Sequence, residues 1–125
     1  MGYHTALIVD DSPTSRMIIQ RCMEMAGIRT EETLFAENGI DALAALEERP
    51  DVDLIVSDIN MPKMGGDTLI RVLAARKEGR DRTIVVTSSV ADSSVESDLK
   101  GLGVSAIIKK PISPEKMARA LGGNE

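Results

Sequence analysis

Tryptophan is absent from this chain, and Tyr3 and Phe35 are its only tyrosine and phenylalanine. So sparse a set leaves little to stack a flavin ring or nucleic-acid bases. Cysteine occurs once, as Cys22, which excludes both a disulfide framework and a cysteine metal site. Positive charge is in deficit: 15 Lys and Arg face 20 Asp and Glu, for a net charge of -5. The basic residues are scattered, without the stripe that marks a nucleic-acid binder. No apolar run reaches the roughly 20 residues a bilayer demands, and Met1-Gly-Tyr-His-Thr5 has neither the basic nor the apolar region of a signal peptide. These absences lead to an expectation of a cytoplasmic protein that neither binds nucleic acid nor inserts into membranes.

What is present fits one domain over residues 1–125, long enough to bury roughly two thirds of the surface its unfolded form exposes. Four short apolar runs, Leu7 to Val9, Leu54 to Val56, Ile84 to Val86 and Ala106 to Ile108, are continuous rather than alternating, as strands covered on both faces require. Thr33 to Ala36, after Glu31 and Glu32, reads as an edge strand. Helical spacing lies between them. The first helix opens at Ser12-Pro13, turns Ile18, Ile19, Cys22 and Met23 inward and stops at Gly27. The second starts at Asn38-Gly39 with Ile40, Leu43 and Leu46 inward. The third carries Leu69, Ile70, Val72 and Leu73. A fourth has Val95, Leu99 and Leu102 on one side among weak helix formers, and the last runs from Ser113 to Leu121. Alternating strands and helices give a doubly wound, parallel, five-stranded α/β sheet between two helical layers.

In such sheets ligands bind beyond the carboxyl ends of the strands. Asp10 and Asp11 follow the first strand, Asp58 ends the third, Thr87 ends the fourth and Lys110 follows the fifth, so these polar groups converge on one rim. Gathered carboxylates raise one another's pKa unless a cation offsets them. A hard divalent ion such as Mg2+ suits an all-oxygen set, and no histidine or cysteine lies nearby in sequence to favour zinc. Lys110 offers a point charge and Thr87 a hydroxyl donor, both fitted to phosphoryl oxygens. Asp58 is then the candidate nucleophile, forming an aspartyl phosphate. Taken singly, each of these residues has an ordinary explanation as a cap, a turn residue or a solvated side chain. Their joint placement favours the phosphoacceptor.

Val9-Asp10-Asp11-Ser12, Ser57-Asp58-Ile59-Asn60-Met61-Pro62, Val86-Thr87-Ser88 and Lys110-Pro111 together resemble the receiver domains of two-component response regulators, most closely the single-domain, CheY-like ones used in chemotaxis. The resemblance spans essentially the whole chain, including Ala36 to Leu43, and implies a flavodoxin-like strand order of 2-1-3-4-5. It implies that Asp58 takes a phosphoryl group from the phosphohistidine of a sensor histidine kinase or a histidine phosphotransfer protein. It also implies Mg2+ held by Asp11, Asp58 and the Asn60 carbonyl, with Asp10 in support through water. Lys110 would pair with the phosphoryl oxygens, the Lys110-Pro111 bond would be cis, and Thr87 would move toward the phosphoryl group.

With nothing after Glu125 to act as an output domain, the signal is expected to pass from a monomer to a downstream protein, through the face of the fourth helix, fifth strand and fifth helix, or along a phosphorelay. Activation is expected to rearrange Ser88 to Leu102. Some positions depart from the family pattern. Ile107 stands where many members carry a tyrosine or phenylalanine switch, Gly65-Gly66 replaces Asp-Gly, Lys109 takes a usually apolar strand position, and Ser89 falls where members tune phosphoryl lifetime. Two alternatives are a pseudo-receiver that only binds proteins and a receiver excised from a larger regulator. A pseudo-receiver would lack the acidic pair, acceptor or lysine that this sequence keeps. A haloacid dehalogenase phosphatase would need an aspartate where Asn60 stands, and a flavodoxin would need the missing glycine and aromatics.

Overall fold

The computed structural model describes residues 2–76 and 82–122. Along the chain run β1 (Gly2–Val9), α1 (Pro13–Met25), β2 (Arg29–Ala36), α2 (Gly39–Glu48), β3 (Leu54–Asp58), α3 (Gly66–Arg76) and β4 (Thr83–Ser88). A 3-10 turn (Val90–Asp92), α4 (Ser93–Lys100), β5 (Ala106–Lys109) and α5 (Pro114–Leu121) complete it. All strand pairs are parallel, in the order β2-β1-β3-β4-β5. Among the described residues no helix is long and apolar enough to cross a membrane.

The strands read as continuous apolar runs because both faces are covered. Leu7, Val9, Ile55, Ile84 and Val86 point to one face, against Ala42 and Leu46 of α2, Leu69, Ile70 and Leu73 of α3, and Leu99 of α4. Their sequence neighbours Ala6, Ile8, Leu54, Val56 and Val85 point to the other, against Ile19, Cys22 and Met23 of α1 and Met117 and Leu121 of α5. Helix starts follow the cap chemistry: the side chains of Ser12, Asn38 and Ser113 accept from the backbone N–H groups of Ser15, Asp41 and Lys116. Gly27 and Gly122, at φ 79° and 69°, end α1 and α5 in the left-handed conformation that glycine adopts without strain.

Several expectations need correction. β1 and β2 are eight residues each, because their outer halves carry polar residues that pair without an apolar signature. His4 lies within β1. Ile18 and Ile40, expected inward, are 47% and 50% exposed, since the buried stripes of α1 and α2 run through Ile19–Cys22–Met23 and Ala42–Leu46. Leu102 falls beyond the end of α4, although it still packs on the core.

Candidate functional site

The strand order reverses between β1 and β3, so the carboxyl ends of these two strands frame a crevice. Asp10 and Asp11 leave β1 on one side of it and Asp58 closes β3 on the other. One oxygen from each of the three carboxylates lies within 4.8 Å of the other two. Asp10 and Asp58 are buried, while Asp11 is exposed. The Ser12 N–H donates to Asp10 Oδ1 at 2.9 Å, and the Arg16 guanidinium donates to the Asp10 carbonyl at 2.7 Å. Serine 12 thus caps α1, which leaves Asp11 free of capping duty.

Lys110 reaches in from the end of β5, its Nζ 3.1 Å from Asp58 Oδ1. The Ile59 N–H donates to the same Asp58 oxygen at 2.9 Å. The cis Lys110-Pro111 bond is present, and the Lys110 N–H donates to the Ser88 carbonyl at 2.8 Å. Thr87 pairs with Asp58 in the β3–β4 register. Asp10 Oδ2 and Thr87 Oγ1 are both buried without a hydrogen-bond partner among the described residues. Burial pushes the Asp10 carboxyl above its ordinary value; Asp58 and Asp11 add to that, while the Ser12 N–H and Lys110 oppose it. Two orphaned buried oxygens and three converging carboxylates make a donor set suited to a hard cation and an incoming anion. A cleft of about 250 Å³ opens beside it, lined by Asp10, Ser15, Ile18, Thr87, Lys110 and Pro111.

Glycine 66 sets the back of the site. A Cβ there would sit 2.0 Å from the Asp58 carbonyl oxygen, so the first turn of α3 can lie directly against the acceptor's backbone only as glycine. The Gly66 N–H also donates to the Ile59 carbonyl at 2.9 Å, folding the loop from Ile59 to Gly65 back on itself.

Asn60 lies at the rim, with its side chain turned toward the loop after β4: Nδ2 donates to Asp92 Oδ1 at 2.9 Å. Asp92 is buried, and its other oxygen accepts from both the N–H and the hydroxyl of Ser89, at 2.9 and 3.0 Å. Burial works against its charge, but the Ser89 N–H, the Asn60 amide and the Ser89 hydroxyl hold it below the ordinary carboxylate value. Sequence reasoning missed Asp92, treating its serine-rich surroundings as a weak helix. The spacing Ser89-x-x-Asp92, a capping-box pattern, was the available signal.

A second polar group ties the same loop to the sheet edge. The buried Ser88 hydroxyl donates to Glu96 Oε2 of α4 at 2.8 Å, and Lys109 Nζ of β5 donates to that same oxygen. Lys109, then Ser88, hold the Glu96 carboxyl below its ordinary value. The lysine in a usually apolar strand position has a partner, and Ile107 packs half-buried against the core face under α4.

The model of the response regulator receiver domain matches residues 6–122. A chemotaxis protein CheY homolog of Campylobacter jejuni is 35% identical over 92% of this chain and 87% of its own length. Chemotaxis protein CheY1 of Helicobacter pylori strain J99 is 34% identical over 95% and 98%. Among solved structures, Vibrio cholerae CheY4 superposes with a TM-score of 0.77 at 26% identity, covering 96% of this chain and 97% of that one.

Proposed function

We propose, since this chain belongs to the response regulator receiver domain family, that Asp58 accepts a phosphoryl group from the phosphohistidine of a sensor histidine kinase or histidine phosphotransfer protein. The observation that carries this is the buried Asp58 carboxylate, with Lys110 Nζ 3.1 Å from one oxygen and carboxylate oxygens of Asp10 and Asp11 within 4.8 Å. Asp11, Asp58 and the Asn60 carbonyl would hold Mg2+, with Asp10 in support. When bound, that ion offsets the gathered carboxylates and draws charge from phosphoryl oxygens.

The protein's own groups do the rest by position and charge. An Asp58 oxygen attacks phosphorus as the donor's P–N bond breaks, and the histidine departs with the electron pair. The Lys110 ammonium stands where the transferred oxygens gather negative charge. The Thr87 hydroxyl, unpaired in this state, has a proton to donate to one of them. In the reverse sense, water attacks phosphorus, the bond to Asp58 breaks and inorganic phosphate leaves. The protein thus catalyses its own phosphorylation and dephosphorylation without a separate substrate turnover.

Residues 1–125 act in this reading as one receiver domain, a monomer working in the cytoplasm. It hands its signal to a downstream protein across α4, β5 and α5 or passes the phosphoryl group onward. The named relatives are chemotaxis proteins, which favours output of that type. Acetyl phosphate with Mg2+ should add one phosphoryl group to the intact mass, and chelation of the metal or Asp58→Asn should abolish the gain. Unchanged phosphorylation of Asp58→Asn would overturn the assignment.

A further inference from the structure

The loop after β3 and the loop after β4 are joined by a side-chain bond that the proposed phosphoryl chemistry does not use. Asp92 holds Asn60 with one carboxylate oxygen and the Ser89 N–H and hydroxyl with the other. It is a buried charge, and breaking such a group's bonds is costly unless they are replaced. Asn60 itself is exposed, and Asp92 is the partner its side chain holds. Asp92 also ends the 3-10 turn that leads directly into α4.

We propose that Asp92 is a positioning residue for the Asp58 site, acting through Asn60 to fix the loop whose backbone carbonyl completes the cation site, and linking occupancy of that site to the first turn of α4. The inference rests on the receiver reading, because it takes the Asn60 carbonyl as a ligand. Holding the Asn60 side chain restricts the backbone that presents its carbonyl, as outer partners orient the ligands of metal sites. The linkage is reciprocal: if the bond steadies the cation, then the cation steadies the bond and the turn that supplies Asp92.

The test is a double-mutant cycle read by Mg2+ binding alone, by calorimetry on the unphosphorylated protein. Asp92→Ala and Asn60→Ala should each weaken Mg2+ roughly 10-fold. The pair together should weaken it no further, because both remove one bond. Asp92→Asn, which can still join two amides, should keep most of the affinity. Mg2+ should slow amide exchange over Ser89 to Lys100 in the wild type but not in Asp92→Ala. If Asp92→Ala fails to fold, Asp92→Ser is used in its place, since it retains an acceptor for Ser89 but does not reach Asn60. Wild-type Mg2+ affinity in the Asp92 variant, or losses that multiply to about 100-fold in the pair, would overturn the proposal. A wild type that takes up no Mg2+, or whose uptake survives Asp11→Ala with Asp58→Ala, would overturn the receiver chemistry and this inference with it.

Discussion

Thr87 stands directly beside Asp58 in the parallel register of β3 and β4, with its hydroxyl buried and unpaired among the described residues. An unpaired buried hydroxyl destabilises the state that contains it. The unphosphorylated protein therefore carries a strain that a phosphoryl oxygen on the neighbouring strand can relieve. Thr87→Val keeps the shape and removes the hydroxyl. It should raise the stability of the unphosphorylated protein by about 1 kcal/mol in denaturant titration. It should also diminish the change in amide exchange over Ser88 to Leu102 when beryllofluoride stands in for the phosphoryl group.

Asp10 is the buried member of the acidic pair, and burial raises its carboxyl above the ordinary 3.8. In metal-free protein the native state takes up this proton at a higher pH than the unfolded chain does. Stability should therefore rise as pH falls through the folded value, and level off once the unfolded chain also protonates near 3.8. Asp10→Asn should remove this segment of the pH profile and stabilise the metal-free protein by about 1 kcal/mol, or roughly 4 °C in melting temperature. It should weaken Mg2+ binding at the same time. Parallel melts in chelator and in Mg2+ check both signs.

Gly66 lies against the Asp58 carbonyl, and Gly66→Ala brings a methyl group 2.0 Å from that oxygen unless the backbone shifts. The neighbour is main chain and cannot turn aside. The substitution should cost about 3 kcal/mol, lowering the melting temperature by more than about 10 °C. Variants that remain folded at low temperature should be phosphorylated more slowly, because α3 is pushed away from the acceptor. Thermal melting and acetyl phosphate kinetics measure the two effects.

Glu96 joins Ser88 to Lys109. Glu96→Ala leaves the buried Ser88 hydroxyl unpaired and frees α4 from the sheet edge. It should destabilise the protein by about 1–2 kcal/mol and speed amide exchange within Ser93–Lys100 several-fold. Lys109→Leu retains the Ser88 bond and should have the smaller effect on the same amides.

The rim was legible in the sequence because its residues sit at strand ends, and apolar strands covered on both faces announce where they stop. Asp10, Asp11, Asp58 and Lys110 fall where that reading put them, Thr87 stands one residue before the end of β4 at Ser88, and parallel topology brings them together. Side-chain partnerships across loops were not legible. Asp92 and Glu96 lie in a segment whose serines and acids indicate only low helicity, and nothing local tells which strand or loop they meet. Helix rotation was also read imperfectly: Ile18 and Ile40 are apolar, yet each sits about one residue off its buried stripe. Their hydrophobicity argued for burial when the geometry of the neighbouring residues decided otherwise.

The two flanks of the sheet are not equally well anchored. On one flank, β1 and β2 pair from Gly2 and Arg29 to Val9 and Ala36, beneath a 13-residue α1. On the other, β4 and β5 pair only from Val85 and Ala106 to Ser88 and Lys109, beside two eight-residue helices. Local opening should therefore cost least along β4, β5 and α4, the side of Asp58 where fewer backbone pairs have to part.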